Sequence, residues 1–409
     1  MTGGRGRRAS AGWPRSTATG IATLIVAIAA GALLAAGAVA VSPRVVAGWP
    51  RNVPAGTVHQ GPGGGLVVIS IGDVTLEQGA QTVSAFRRDG RRLWSARRAP
   101  GCGNCDDGPQ PAVLQADGTY GPIGVEGDDF WAVDARGRIV TGCVGVVYAD
   151  GACVVGGARE DSAFRTSPAI MGRPVGAPPW VVWDDRYGWR DEFDVPPMTV
   201  RDGAGVVYAA FVAPTERATG RRLLHSGLLM AVDPTTHAIL WTRVGPTQVL
   251  TGLGSGVLVN EAGGISAIGA DGGVRWSRGL SARQRVVPAQ AVYDAARGRV
   301  YIGRISGADP PGVTALVAST GAQVWRTTPR DRASLLSVGR GGRVYLAIDS
   351  PGRRAARGVR LADGRTVWEL RTNLPVLGAR ELVNGTVAVS AGTPYAPSRA
   401  DRLTLLDPR

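Results

Sequence analysis

Four cysteines, three histidines and three pairs of adjacent aspartates are the residues whose types and spacing suit chemistry in this chain. The histidines, His59, His225 and His237, stand far apart and lack the short spacing by which imidazoles share a zinc ion. Asp106-Asp107, Asp128-Asp129 and Asp184-Asp185 offer carboxylate oxygens of the kind Ca2+ collects. Each pair also sits among turn-forming residues, where aspartate bonds its own backbone, and a solvated turn is the simpler reading. Cys102 and Cys105 form a C-x-x-C pair, the spacing of thiol redox centres. No strand–helix–strand pattern surrounds them, and no helix N-terminus is there to activate a thiolate. Gly61 to Gly65 follows no strand-to-helix pattern that would cradle phosphate, and no nucleophile-elbow motif is present. No catalytic, cofactor-binding or metal-binding residue is therefore assigned.

These residues need a compartment and a scaffold. Arg5, Arg7, Arg8 and Arg15 precede an uncharged, Ala-, Leu-, Ile- and Val-rich stretch from Ile21 to Val41. At about 1.5 Å per helical residue that stretch spans a hydrocarbon core of about 30 Å. The arginines hold residues 1–20 in the cytoplasm, residues 21–41 form a transmembrane helix or signal anchor, and residues 42–409 lie outside the membrane. The rival reading is a secretory signal cleaved after Ala40, since Ala38-Val39-Ala40 fits the small-x-small pattern. The apolar run is longer than a signal core, which favours the anchor. No Cys follows the run to carry lipid, and the residues after Arg7-Arg8 fit twin-arginine export poorly.

Export makes disulfides the expected state of Cys102, Cys105, Cys143 and Cys153. Four cysteines allow three pairings, and the sequence does not choose among them. Asp150-Gly151 suits a two-residue hairpin turn, which would set Cys153 against Tyr148 with Cys143 five residues further along the strand. At about 3.3 Å per residue that separation exceeds the reach of a disulfide, so in such a hairpin both cysteines must look to Cys102 and Cys105.

The net charge of +14 would ordinarily suggest nucleic acid as a partner. The chain contains no Lys, however, and its 46 basic residues are all Arg, scattered through turns such as Arg87-Arg88, Arg221-Arg222 and Arg353-Arg354. With no basic face or run, no nucleic-acid role is expected. Sixty Gly and 27 Pro make turns dense and leave little room for long helices.

Internal repetition carries the architecture. One segment recurs as VSAFRRDGRRLW ending at Trp94, LMAVDPTTHAILW at Trp241, ISAIGADGGVRW at Trp276, VTALVASTGAQVW at Trp325 and VRLADGRTVW at Trp368. Each copy reads as an apolar strand, a polar turn and a strand bearing Trp. Upstream lies a Gly-led apolar strand, beginning at Gly65, Gly205, Gly256, Gly298, Gly342 and Gly385. Two weaker copies fill the gap: FWAVDARGRIV at 130–140, with Thr141 in the place of Trp, and WVVWDDRYGW, ending at Trp189. Strands and turns at such spacing predict an antiparallel all-β array.

The copies resemble the PQQ-like β-propeller repeat, with Asp233, Thr320-Gly321, Asp363-Gly364 and the tryptophans carrying the likeness. The resemblance implies four-stranded blades arranged in a ring, eight by this count and seven if the Trp189 copy is not a blade. Leu403 to Pro408 looks like a strand with no Trp strand after it, and Arg44 to Trp49 is expected to complete that last blade. The repeat tryptophans are expected to pack on neighbouring blades, each indole N–H bonding locally. Off-pattern Trp131, Trp180 and Trp183, and the longer segments 99–112 and 158–200, are where a ligand would be sought.

The family takes its name from quinoprotein dehydrogenases, which hold pyrroloquinoline quinone under an adjacent Cys-Cys disulfide with Ca2+ near a catalytic Asp. No adjacent Cys-Cys pair occurs here. The expectation is a membrane-tethered, monomeric, non-catalytic propeller without cofactor that binds protein or cell-envelope partners. A divergent quinone-dependent oxidoreductase and a sensor of small ligands or polysaccharide are the alternatives. Intact-mass measurement of the protein from membranes tests the tether. The expected species retains residues 1–40, and a mature chain starting at Val41 would refute the anchor.

Overall fold

The chain divides into two units, Met1–Val39 and Ala40–Arg409. The computed structural model describes, all within the second unit, residues 43–46, 56–71, 81–87, 89–98, 113–115, 117–126, 129–141, 143, 146–148, 152–160, 166–183, 199–212, 227–246, 248–261, 263–280, 285–286, 290–303, 305–306, 312–392 and 402–407. The segment Ile21 to Val41, residues 99–112 with Cys102 and Cys105, Asp184-Asp185, Trp189 and His225 lie outside them. Among the described residues no helix is long and apolar enough to cross a membrane.

The described residues form eight four-stranded antiparallel sheets and one small two-stranded ladder, Arg285–Val286 with Ile305–Ser306. The first sheet runs Thr57–Gln60, Leu66–Ile71, Gln81–Phe86 and Arg92–Arg98. The second runs Val113–Leu114, Tyr120–Glu126, Asp129–Val133 and Ile139–Thr141, and the third Val146–Val147, Cys153–Glu160, Thr166–Arg173 and Trp180–Trp183. Thr199–Arg201, Val207–Val212, Gly227–Asp233 and Ala238–Gly245 make the fourth; Gln248–Gly252, Val257–Glu261, Gly264–Ile268 and Val274–Gly279 make the fifth. The sixth holds Ala291–Asp294, Arg299–Ile302, Thr314–Val317 and Gln323–Arg326, and the seventh Ala333–Val338, Arg343–Ser350, Arg353–Arg360 and Thr366–Thr372. In the eighth, Val376–Glu381, Val387–Ala391 and Arg402–Asp407 are joined by Arg44–Val46 from the other end of the chain, paired Arg44 to Asp407 and Val46 to Leu405.

From the third sheet round through the eighth to the first, first strands of successive sheets lie against one another and form an inner wall, with the fourth strands outside. Each sheet is apolar on both faces, and the cores lie in the seams between sheets. Leu258 and Ile265 meet Val300 and Leu316 between the fifth and sixth; Tyr301 and Ala315 meet Leu335 and Leu346 between the sixth and seventh. The eighth sheet closes on the first through Ala388, Leu403 and Leu405 against Val58, Leu66 and Phe86. Gly56 N–H to Ser390 Oγ at 2.9 Å and Val383 N–H to Gln60 Oε1 at 3.0 Å add polar ties there.

The Gly-led strands follow from backbone conformation. Gly256 sits at φ 109 in the turn before its strand, where a Cβ would overlap the Ile268 carbonyl. The Trp strands follow from a bulge. In the first, fourth, fifth, sixth and seventh sheets the register slips next to the small residue facing Trp: Ala85, Ala231, Ala267, Ala315 and Gly358. The extra residue turns the indole out of its own sheet and onto the next. Trp94, Trp241, Trp276 and Trp325 donate to the carbonyls of Ala135, Ala270, Ala318 and Leu361, at 2.7–3.1 Å. The indole N–H groups thus bond across the seam, not locally, to carbonyls in or beside the next sheet's turn. Beneath the rings the turns place Gly137, Gly272, Gly321 and Gly364 at positive φ; a Cβ at Gly321 would come within 2.6 Å of Trp276.

Both weak copies are corrected. In the third sheet Trp180, facing Gly172, takes the seam position expected of Trp189 and stacks on His237 of the fourth sheet, ring centroids 4.5 Å apart. His237 holds φ 56 where other turns use glycine. The second sheet has no bulge at its outer strand, so Val140 faces Ala132 and Thr141 faces Trp131.

The cysteine expectation is also overturned: Cys143 bonds Cys153, with Cα atoms 5.8 Å apart. The hairpin pairs Val147 with Cys153, one residue from the Tyr148 partner that a two-residue turn at Asp150-Gly151 would set, and its first strand spans only Val146–Val147. Cys143 is therefore not carried away along an extended strand.

Burying an indole of about 200 Å2 at about 25 cal/mol per Å2 contributes on the order of 5 kcal/mol before ordering costs. Trp276→Ala is expected to destabilise the protein by about 3–5 kcal/mol, whereas Trp276→Phe, which keeps a ring but loses the bond to Ala318, costs about 1–2 kcal/mol. Urea unfolding measures both, and equal losses would remove the hydrogen bond from the account.

Candidate functional site

Among the described residues, a connected group of ion pairs lies in the seventh sheet. Arg353 and Arg357 are four apart on the third strand and share one of its faces, and Arg357 is in register with Glu369 on the fourth. Asp331 ends the single-turn 3-10 segment Pro329–Asp331 that leads into the first strand. Arg357 donates to Asp331 at 2.7 Å and to Glu369 at 3.0 and 3.1 Å, while Arg353 reaches Glu369 at 2.6 Å. The Arg357, Asp331 and Glu369 side chains are 8%, 14% and 11% exposed. Arg353 thus begins a strand and is no turn residue. The R-x-x-x-R spacing within a period-two segment was the signal that it shares a face with Arg357.

Burial alone would raise the carboxyl of Asp331; hydrogen bonds from Arg357 and Thr328 and the nearby guanidinium charges outweigh it and hold the group below the usual range. Glu369 is lowered in the same way, burial being outweighed by Arg353 and Arg357. Arg357 is pushed up, since its two carboxylates overcome its desolvation. Both acids are thus held ionised with their oxygens engaged, which suits fixing the turn to the sheet and not transferring protons.

Two further carboxylates tie neighbouring sheets. Asp202, 4% exposed, accepts from the backbone N–H groups of Ala204 and Val206, from Tyr208 Oη at 3.0 Å and from Gly256 N–H at 2.8 Å in the fifth sheet. Glu381 accepts from Gly341 N–H and, at 2.7 Å, from Tyr345 Oη of the seventh sheet. Burial first, and then these carboxylates, push both tyrosine hydroxyls up. Beside Glu381, burial and the Arg340 charge lower Arg380.

The sequence-nominated residues do not converge. His59 is buried in the first sheet, its ring edge-on to Tyr120 at 6.5 Å, and His237 stacks on Trp180. Trp131 is half-buried against Val67, Val83 and Tyr120; Trp183 is 41% exposed on an outer strand. Trp180 is a seam residue and no ligand-facing aromatic. A shallow cavity of about 300 Å3, lined by Ala270, Asp271, Gly273, Val274 and Arg275, lies on the outer turn that Trp241 packs against. Among the described residues no three His, Cys, Asp or Glu side chains gather as metal ligands.

Residues 261–409 match the family described as outer membrane protein assembly factor BamB, a PQQ-like repeat family. Over those residues the repeats of the chain are similar to the PQQ-like β-propeller repeat. A solved europium-containing methanol dehydrogenase is 12% identical, covering 86% of this chain and 85% of its own at a TM-score of 0.50. The quinohemoprotein alcohol dehydrogenase ADHIIG of Pseudomonas putida HK5 is 14% identical over 90% of this chain and 74% of its own, with a TM-score of 0.51. At such identities these likenesses speak for the fold alone. No curated protein matches the chain by sequence.

The described residues do not fit pyrroloquinoline quinone as that family holds it. The disulfide here joins cysteines ten apart rather than an adjacent pair, and Cys143 is 4% exposed, its carbonyl bonded to Gln115 of the second sheet. The buried carboxylates are engaged by guanidinium, phenol and backbone donors, as set out above.

The ion cluster predicts acid sensitivity. Asp331 and Glu369 are lowered in the folded state, so their contribution to stability is full above the ordinary carboxylate range and is lost as pH falls through the folded values. Arg357→Ala leaves two buried carboxylates short of a partner and is expected to cost about 3–5 kcal/mol near neutral pH. Urea titrations at several pH values should show that loss shrinking toward acid, and a loss independent of pH would contradict the assignment.

Proposed function

We propose that the protein is a non-catalytic, extracytoplasmic propeller of eight blades, tethered to the cell membrane by residues 21–41 and serving as a binding scaffold for protein or cell-envelope partners. The observation that carries the reading is the commitment of its buried Asp202 and half-buried Asp331, Glu369 and Glu381 to bonds that hold turns and sheets together. Such groups are spent on architecture. The Cys143–Cys153 disulfide supports a location in an oxidising compartment. The match of residues 261–409 to an assembly-factor family supports a role in engaging other chains, as an analogy from fold to function.

The second reading, a divergent quinone-dependent oxidoreductase, is favoured by the two dehydrogenase structures that share the fold. A sensor of small ligands or polysaccharide would need aromatics gathered at the mouth of the ring, whereas Trp131, Trp180 and Trp183 are spread over the second and third sheets.

Adding pyrroloquinoline quinone with Ca2+ to the purified full chain, followed by desalting, separates the first two readings. The expected visible spectrum is that of protein without quinone, and stoichiometric retention would overturn the scaffold reading. Cross-linking on intact cells should capture partner proteins that a quinone enzyme has no need of.

A further inference from the structure

The first strand of the eighth sheet carries a cation without a hydrogen-bond or ion-pair partner among the described residues. Arg380 lies on the inner wall, half-buried and in register with Ala388 of the second strand. Glu381, the next residue, turns to the other side of the strand and gives its oxygens to Gly341 N–H, at 3.0 and 3.2 Å, and to Tyr345 Oη. Burial first, and then the charge of Arg340, lower the Arg380 guanidinium. Arg357 is the contrast, since that buried guanidinium sits between two carboxylates. Holding a guanidinium half out of water beside a second cation costs stability, and no bond within the protein offsets it.

The seventh sheet is shaped to bring Arg340 to this place. Its first turn reads Gly339-Arg340-Gly341-Gly342, with a glycine on each side of the arginine. A Cβ at Gly339 or at Gly341 would overlap the Glu381 carboxylate. Glycine at both positions lets the turn close on Glu381, and the closure carries the exposed Arg340 to the strand of Arg380. The neighbouring first turns add no free carboxylate among the described residues. Asn384 holds Thr386 N–H in the eighth sheet as Asp117 holds Thr119 N–H in the second, with a neutral amide in place of the acid. Asp294 of the sixth sheet is taken by Arg297 at 3.0 Å.

We propose that Arg340 and Arg380 form a phosphate-binding site on the inner wall where the seventh sheet meets the eighth. Guanidiniums present paired N–H donors that match the oxygens of a phosphate, and a compact dianion removes the repulsion between two cations where a carboxylate removes only part of it. Free phosphate and the terminal phosphate of a monoester share this chemistry. The site stands apart from the scaffold reading, because neither arginine side chain is among the groups that tie the sheets together.

Calorimetric titration of the full chain with inorganic phosphate, at about pH 8 so that the anion is doubly charged, tests the site. Saturation is expected with a dissociation constant of about 0.1–1 mM, and acetate, a monoanion, should bind at least about tenfold more weakly. Arg340→Ala, at an exposed position, should weaken phosphate at least about tenfold, whereas Arg91→Ala, an exposed arginine of the first sheet, should change it by less than about twofold. Arg380→Met should abolish saturation and, by removing an unpaired half-buried cation, raise the midpoint of thermal unfolding in phosphate-free buffer by about 1–3 °C. A purely structural role for Arg380 predicts a fall in that midpoint instead. Glycerol phosphate separates the two sources: binding tighter than that of phosphate assigns the site to the end of a larger molecule, and equal or weaker binding assigns it to the free anion. No saturation below about 5 mM phosphate, acetate binding equal to phosphate, binding unchanged by Arg340→Ala, or a lower midpoint for Arg380→Met would overturn the site.

Discussion

A four-stranded sheet with two apolar faces cannot stand alone in water, and the device that lets one such sheet lie on the next is the indole that crosses the seam. Its ring covers apolar area, and its N–H meets a carbonyl of the neighbouring sheet's turn region. This single contact dictates several residue choices at once. The turn needs a positive φ so that no Cβ lifts the ring, the strand behind the Trp needs Ala or Gly, and the outer strand needs a bulge to aim the side chain. Tyr208, Tyr301 and Tyr345 pack 5.8–6.0 Å from the tryptophans of their own sheets and set the rings from the inner side.

Because these demands recur with every sheet, they were readable in the amino-acid order. The Gly-led strand and the Trp strand are local patterns, and repetition distinguishes them from chance. What failed was whatever depended on a single, unrepeated geometry. A bulge leaves no mark on the residues themselves, so the difference between Thr141 and Val140 was hidden. The third copy carries a longer, Pro-rich turn with tryptophans at both 180 and 183, and its rhythm was read one strand too late. The disulfide was misjudged because the hairpin's register lies one residue from the one its turn residues suggest, and its first strand begins only at Val146, so Cys143 is not held in an extended run.

The charged groups were harder to see for a related reason. Asp331 reaches Arg357 from a turn 26 residues away, and Glu381 meets Tyr345 across 36 residues, so neither contact has a spacing that a reader could test. Only the two arginines on one strand face were available as a hint.

Arg44–Val46 is the outermost strand of the sheet that also contains Arg402–Asp407, so the two ends of the propeller chain are stitched to each other. During synthesis the early strand must therefore wait, unpaired, until residues 402–407 have emerged. Completion of the ring is coupled to arrival of Arg402–Asp407, and a chain that stops before them would be left with an open sheet edge that quality-control proteases and chaperones recognise.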